Sequence, residues 1–254
     1  MDRRAFIGIM GGLGGIASAA AERRTRIYAL EQFNLKAGTQ LPRLHEFFGQ
    51  SLLPAMKRLH NGTQIYLEAV IAAHTPQLAV IHGFTSLEEM WGVHTKIAAD
   101  ESLTKKMEAL ESAAEPPFET LDTSLLEAAD YSPEIEPGAD NAPSRVFELR
   151  IYHSPTWRQL GALHERFRGP EIKIFHRVGI HPVLYSSTLA GQNMPNLTYL
   201  IPFADLAARE KAWAAFNADA EWQKVRKESI DKNGQIASVI QVSLYKAASY
   251  SPVK

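Results

Sequence analysis

A segment of this chain recurs at a constant offset of 119 residues without a gap. Leu44-His45-Glu46 returns as Leu163-His164-Glu165, since 164 − 45 = 119. The same subtraction links Leu30 to Leu149, Tyr66 to Tyr185, Pro76 to Pro195, Phe84 to Phe203 and Asp100 to Asp219. It also carries Tyr131-Ser132-Pro133 onto Tyr250-Ser251-Pro252. Chance does not hold one register from end to end, and a period of this length is too long for a solenoid and right for a duplicated domain. The chain therefore reads as two copies of one fold, residues 24–133 and 144–252, joined by an acidic, turn-rich linker at 134–143.

Each copy reads strand, helix, strand, strand, helix, strand. The first strand is Arg26–Phe33, matched by Arg145–Tyr152. The second copy alternates, with Phe147, Leu149 and Ile151 on one face and Glu148, Arg150 and Tyr152 on the other. Leu41, Leu44, Phe48, Leu52 and Met56 make the apolar stripe of the first helix. Strands at 64–70 and 78–84 follow, matched by 183–189 and 197–203. A single long second helix is expected over 87–110 and again over 206–230. The last strands are 119–126 and 238–246. This order is the ferredoxin-like unit, an α+β arrangement with two helices on one sheet face. The other face needs a cover. Two copies pairing sheet to sheet supply it within one molecule.

Composition excludes several functions. Among 254 residues, 45% are hydrophobic and 22% charged, which is globular, and the net charge is −1 with no basic stripe, which argues against nucleic acid. There is no cysteine, so disulfides, thiolate nucleophiles and iron–sulfur clusters are ruled out. The histidines show no metal-ligand spacing, and no Gly-rich phosphate loop or nucleophile elbow occurs, so neither metal nor cofactor is expected.

Residues 1–21 stand apart. Arg3-Arg4 with Phe6, a Gly-rich apolar stretch and Ala19-Ala20-Ala21 resemble a twin-arginine export signal with a small-residue cleavage site. That implies a periplasmic or secreted protein with no membrane span in the mature chain. An uncleaved N-terminal anchor is the alternative.

Repeat two resembles the NIPSNAP family of the dimeric α+β barrel superfamily. The resemblance rests on Phe147-Glu148-Leu149-Arg150-Ile151-Tyr152, on Arg209-Glu210-Lys211-Ala212-Trp213-Ala214-Ala215-Phe216, on Asp219 and Trp222, and on Tyr250-Ser251-Pro252. Repeat one looks like a degenerate copy, with Ala29-Leu30-Glu31 at strand one and His94 in place of Trp213. The resemblance implies a barrel of paired sheets and no settled reaction. The superfamily also holds cofactor-free and haem-linked oxygenases.

The candidate ligand contacts are Glu148, Arg150, Tyr152, Tyr185, His164 and His45. With helices on the opposite side, the Glu148–Arg150–Tyr152 face is expected to look into the space between the sheets. There it either orients a small molecule or pairs Glu148 with Arg150 to pin register. His45 and His164 occupy one repeat position beside the helix-one stripe, as acid/base groups or as half-buried structural histidines. Trp213, Phe216 and Trp222 read as a core stripe. The functional expectation is a small-molecule binding protein. The alternatives are an oxygenase, cofactor-independent or haem-linked, and a protein-interaction module, and further oligomerisation stays open.

Overall fold

The computed structural model describes residues 24–139 and 141–254; residues 1–21, read above as an export signal, lie outside them. The chain runs β1 Ile27–Asn34, α1 Gln40–Phe47, a π-helical turn Phe48–Leu52, α2 Leu53–Leu59, β2 Gln64–Ile71, β3 Gln77–Phe84, α3 Leu87–Ala99, α4 Glu101–Glu111 and β4 Thr120–Ala128. It then repeats as β5 Val146–His153, α5 Trp157–Arg166, a π-helical turn Phe167–Glu171, α6 Ile172–Arg177, β6 Leu184–Ala190, β7 Asn196–Phe203, α7 Leu206–Ala218, α8 Ala220–Asn233 and β8 Val239–Ala247. The offset is kept by the backbone: adding 119 to the bounds of β1, β3, α3 and β4 gives those of β5, β7, α7 and β8. Both π-helical turns and both cis peptides, Thr75-Pro76 and Met194-Pro195, obey it too.

The eight strands close into one antiparallel barrel in the order β1-β3-β2-β8-β5-β7-β6-β4. Within each half the order is that of the ferredoxin-like unit. Closure comes from the outer strands: β4 pairs with β6 through Leu126↔Thr188, and β8 pairs with β2 through Leu67↔Ala247. Each half thus shares both sheet edges with the other over part of their length, which covers most of the edges that would otherwise invite association.

The expected second helix is two helices in each half. Asp100 caps α4 by accepting from the Leu103 N–H at 2.9 Å, and Asp219 caps α8 by accepting from the Trp222 N–H at 2.9 Å. An Asp side chain that satisfies a free N–H starts a new helix and ends the old one. Arg58 reaches Asp100, and Arg177 reaches Asp219 at 2.7 Å, so the break is pinned alike in both halves. Among the described residues no helix is long and apolar enough to cross a membrane.

The cores fall into layers. Tyr28, Leu30, Ile65, Leu67, Phe147, Leu149, Leu184, Leu200 and Tyr245 fill the barrel interior, joined by Ile135 of the linker and Val253 near the C-terminus. Tyr152, Leu163, Phe167, Phe175, Tyr185, Tyr199 and Phe216 pack between the second half's helices and its strands. Phe33, Leu44, Phe48 and Tyr66 do so in the first half.

Candidate functional site

Strand β5 presents Phe147 and Leu149 to the barrel interior, and therefore Glu148, Arg150 and Tyr152 to the helices. The expected orientation is reversed. Both faces of β5 are buried, so alternation alone does not say which one the helices cover.

Glu148 is fully buried and is held by α7. Its carboxylate accepts from Arg209 Nε at 2.7 Å, Trp213 Nε1 at 2.9 Å and Arg150 Nη1 at 2.5 Å. The Arg150 guanidinium stacks over the Trp213 ring at 4.2 Å. Burial alone would lower the Arg150 pKa; the neighbouring Tyr199, Tyr152 and Glu148 oxygens outweigh it and hold the group charged. A buried carboxylate with this many donors is a fixed structural anion and the hub of the layer.

Further along the layer the polar groups are less well served. Among the described residues Arg150 Nε and the Tyr185 hydroxyl are buried without a hydrogen-bond partner, and the buried Tyr199 hydroxyl has only Tyr152 beside it. Tyr185 stacks on Tyr199 with ring centroids 5.9 Å apart, and Tyr199 meets Tyr152 edge-on at 5.2 Å. Glu171, also buried, takes Arg166 Nε at 2.7 Å; burial pushes its carboxyl pKa up and Arg166 opposes this. At the matching positions, 119 residues earlier, the first half has Ala29 for Glu148, Val80 for Tyr199, Leu52 for Glu171 and Phe47 for Arg166. The Glu148–Arg150–Glu171 set exists in the second half only; the first half places Glu31 and a Tyr66–His82 contact in its own layer.

His164 borders this layer. Its Nδ1 lies 2.6 Å from the Tyr131 hydroxyl and its Nε2 2.8 Å from Ser187 Oγ. Burial, then the charge of Arg168, lower its pKa to about 4 against the pull of Asp130. A neutral ring satisfies both contacts by accepting from one hydroxyl and donating to the other. His45 has the mirrored place on the other half, with Nδ1 at 3.0 Å from the Tyr250 hydroxyl and Nε2 at 3.0 Å from Glu68. Five of the six sequence candidates, Glu148, Arg150, Tyr152, Tyr185 and His164, thus share one side of the barrel, and His45 stands apart. Trp222 and Phe216 are buried core as expected; Trp213 is half-buried and donates to Glu148.

The space between the sheets belongs to other residues. Along four of the inward faces, apolar positions give way to polar ones toward one end: Leu30 to Gln32 and Asn34, Leu126 to Ser124 and Asp122, Leu200 to Thr198 and Asn196, Tyr245 to Ser243 and Gln241, while β2 and β5 stay apolar to Ile71 and Ile151. These line an open cavity of about 510 Å³. The opposite end, where β1 begins, is plugged by Ile135 and Val253. The result is a cup. Its wall is cross-linked: Gln32 donates to the Tyr245 hydroxyl at 3.0 Å, Tyr245 to Gln77 at 2.6 Å, Gln77 to Asn34 at 2.7 Å, and Asn34 to Asp122 at 2.8 Å. The signal was present in sequence as inward positions changing from apolar to polar along one strand, and is legible only once the inward face is known. Among the described residues no group of acidic, histidine or cysteine side chains is placed to hold a metal ion.

The fold and its layers define a dimeric α+β barrel built within one chain. Residues 147–252 match the NIPSNAP family model. The chain is similar in structure to an anthrone oxidase-like protein, with 12% identity, a TM-score of 0.54 and 89% of this chain and 92% of that one covered. It is also similar to a proposed monooxygenase of Fusobacterium nucleatum, with 8% identity, a TM-score of 0.55 and coverage of 88% and 92%. A proposed monooxygenase of Lactobacillus acidophilus aligns at 10% identity and a TM-score of 0.54, covering 91% and 100%. These likenesses establish the fold. No curated protein matches the chain.

Proposed function

We propose that this is an exported small-molecule binding protein that holds its ligand in the cup between the two sheets. One observation carries the reading: the barrel interior is apolar and plugged at one end, yet opens at the other into a cavity of about 510 Å³ with a polar wall. Pockets of a few hundred cubic ångströms with a few convergent polar groups are the usual form of a ligand site. A barrel needing only stability would fill that end with aliphatic side chains, as it does the other. Purification from the native source, with mass spectrometry of retained small molecules, tests the reading. Ser243→Trp, which fills the cup from its wall, is expected to abolish retention with the fold unchanged. Retention of the same compound by this variant would refute the site.

A second reading has its own observation. Arg150 Nε and the Tyr185 hydroxyl are buried and, among the described residues, without a hydrogen-bond partner, and a buried polar group left unsatisfied calls for an explanation, a role in function among them. An oxygenase acting in this layer without a cofactor would use them to hold a phenolic or carbonyl substrate, and the fold neighbours described as monooxygenases are compatible with that. Both ring nitrogens of His164 are engaged, so this histidine has no free nitrogen for a haem iron and the haem-linked form gains no support from it. Oxygen uptake with anthrone as the probe, lost in Tyr185→Phe, tests this reading; no uptake by the wild type removes it.

A further inference from the structure

Resting on the small-molecule reading of the cup, we infer the class of its ligand: a neutral glycoside, with its polyhydroxylated head in the cavity and its apolar substituent across the rim. Two independent observations carry this, the chemistry of the wall and the exposure of the mouth.

The wall is built from amides and hydroxyls. Gln32, Asn34, Asn196, Gln241, Thr198 and Ser124 line it together with His74, whose Nε2 lies 2.7 Å from the Leu35 carbonyl oxygen; Asp122 is its one carboxylate, and no lysine or arginine lines it among the described residues. Asp122 is already spoken for, accepting from Asn34 at 2.8 Å and from Gln192 at 3.2 Å. An anion entering here would meet a carboxylate, no lysine or arginine, and a histidine already committed to a backbone carbonyl, so it would lose its hydration without a ready counter-charge. Asn34 and Asn196 are engaged with their neighbours, but a fully apolar molecule would strip water from Gln32, Gln241 and Ser124, whose polar capacity the wall does not fill. Side-chain amides and hydroxyls both donate and accept, which is what a set of sugar hydroxyls requires. The floor of Leu30, Leu126 and Leu149 suits the C–H face of a pyranose ring.

The mouth carries the second observation. Strand β8 pairs with β2 only from Leu244 onward, so its first residues are held by β5 alone. Strand β4 likewise pairs with β6 only from Leu125 onward. At this end both strands are therefore open sheet edges, β8 against β5 and β7, and β4 against β1 and β3. Exposed large apolar side chains gather there on both faces of the edge: Ile71 at 61% and Val239 at 51% toward the cup, Ile240 at 48% and Val242 at 39% on the outer face of β8. Ile71 also lines the cavity, so the apolar rim and the polar wall are continuous. A clustered apolar rim marks a binding surface, and its continuity with an uncharged polar cavity matches a molecule with both parts.

Calorimetric titration of the mature chain tests the inference with four probes: hexyl glucoside, glucose, hexanoate and hexyltrimethylammonium. Hexyl glucoside is expected to bind, and glucose to bind more than about tenfold more weakly for want of the buried alkyl chain. Neither charged probe should approach the glucoside. Gln32→Leu and the more exposed Gln241→Leu should each weaken the glucoside by about three- to tenfold. Ile71→Ser and Val239→Ser should weaken the glucoside and leave glucose unchanged. Should hexanoate or the ammonium bind as tightly as the glucoside, with the same sensitivity to Ile71→Ser, the cup remains a ligand site and the glycoside is overturned. Should no probe bind while the native protein retains another compound, again only the ligand class falls. No probe bound and no compound retained overturns both.

Discussion

Tyr131 and His164 meet across the two halves of the barrel, hydroxyl to Nδ1 at 2.6 Å, and Tyr250 and His45 repeat the contact in the other direction at 3.0 Å. Each tyrosine ends one repeat and each histidine sits on the first helix of the other. The next residue completes the exchange: Ser132 accepts from the Tyr185 N–H and Ser251 from the Tyr66 N–H, both at 3.0 Å. The Tyr-Ser-Pro repeat is thus a reciprocal latch. Tyr131→Phe is expected to lower the unfolding free energy by about 1 kcal/mol, and Ser132→Ala by about 1–3 kcal/mol because it leaves a buried N–H unpaired. Urea unfolding curves of the single and double variants check this.

The same latch carries a pH dependence. His164 is held neutral, its pKa lowered to about 4, whereas an unfolded histidine titrates near 6.5. The unfolded chain therefore binds more protons between these values, so stability falls as pH drops from about 6.5 toward 4. His82, lowered to about 3 by burial and by His60 and His94, adds to the loss. Melting temperatures measured across this window should fall less steeply in His164→Gln than in the wild type.

Glu148 is expected to be the most sensitive charged position. Glu148→Ala leaves the half-buried Arg150 without its anion and Arg209 with the exposed Glu210 alone, which should cost about 3–5 kcal/mol. Arg150→Ala should cost less, because Arg209 and Trp213 still serve the carboxylate. Glu31, at the Arg150 position of the first half, has no comparable set of donors, and Glu31→Ala should change stability least. Chemical denaturation of the three variants orders them.

Closure by shared edges predicts that the two halves stay together without the linker. A chain cut at a protease site introduced at Gly138 should elute as one species under native conditions and as two fragments in denaturant. Separation under native conditions would contradict the β4–β6 and β8–β2 pairing.

Export is tested at Arg3 and Arg4. Replacing both with lysine keeps the charge and removes the paired guanidinium heads, and is expected to leave the precursor in the cytoplasm on fractionation.

The sequence by itself determined the duplication, the element order and the α+β class, because a gap-free offset and hydrophobic period are local properties that survive in one dimension. It also determined that Glu148, Arg150 and Tyr152 share a face. Tertiary structure alone decided where that face looks. In a barrel wrapped by helices both sides of a strand are buried, so the Phe147 side and the Glu148 side are each shielded from water, and periodicity reports burial without naming the partner. The break at Asp100 and Asp219 was likewise hidden, since an Asp reads as a cap only when a preceding helix has turned away from it. The cup was the least legible feature. Gln32, Asn34, Asn196, Thr198 and Gln241 lie far apart in the chain, on three strands, and only closure of the barrel brings them to one end.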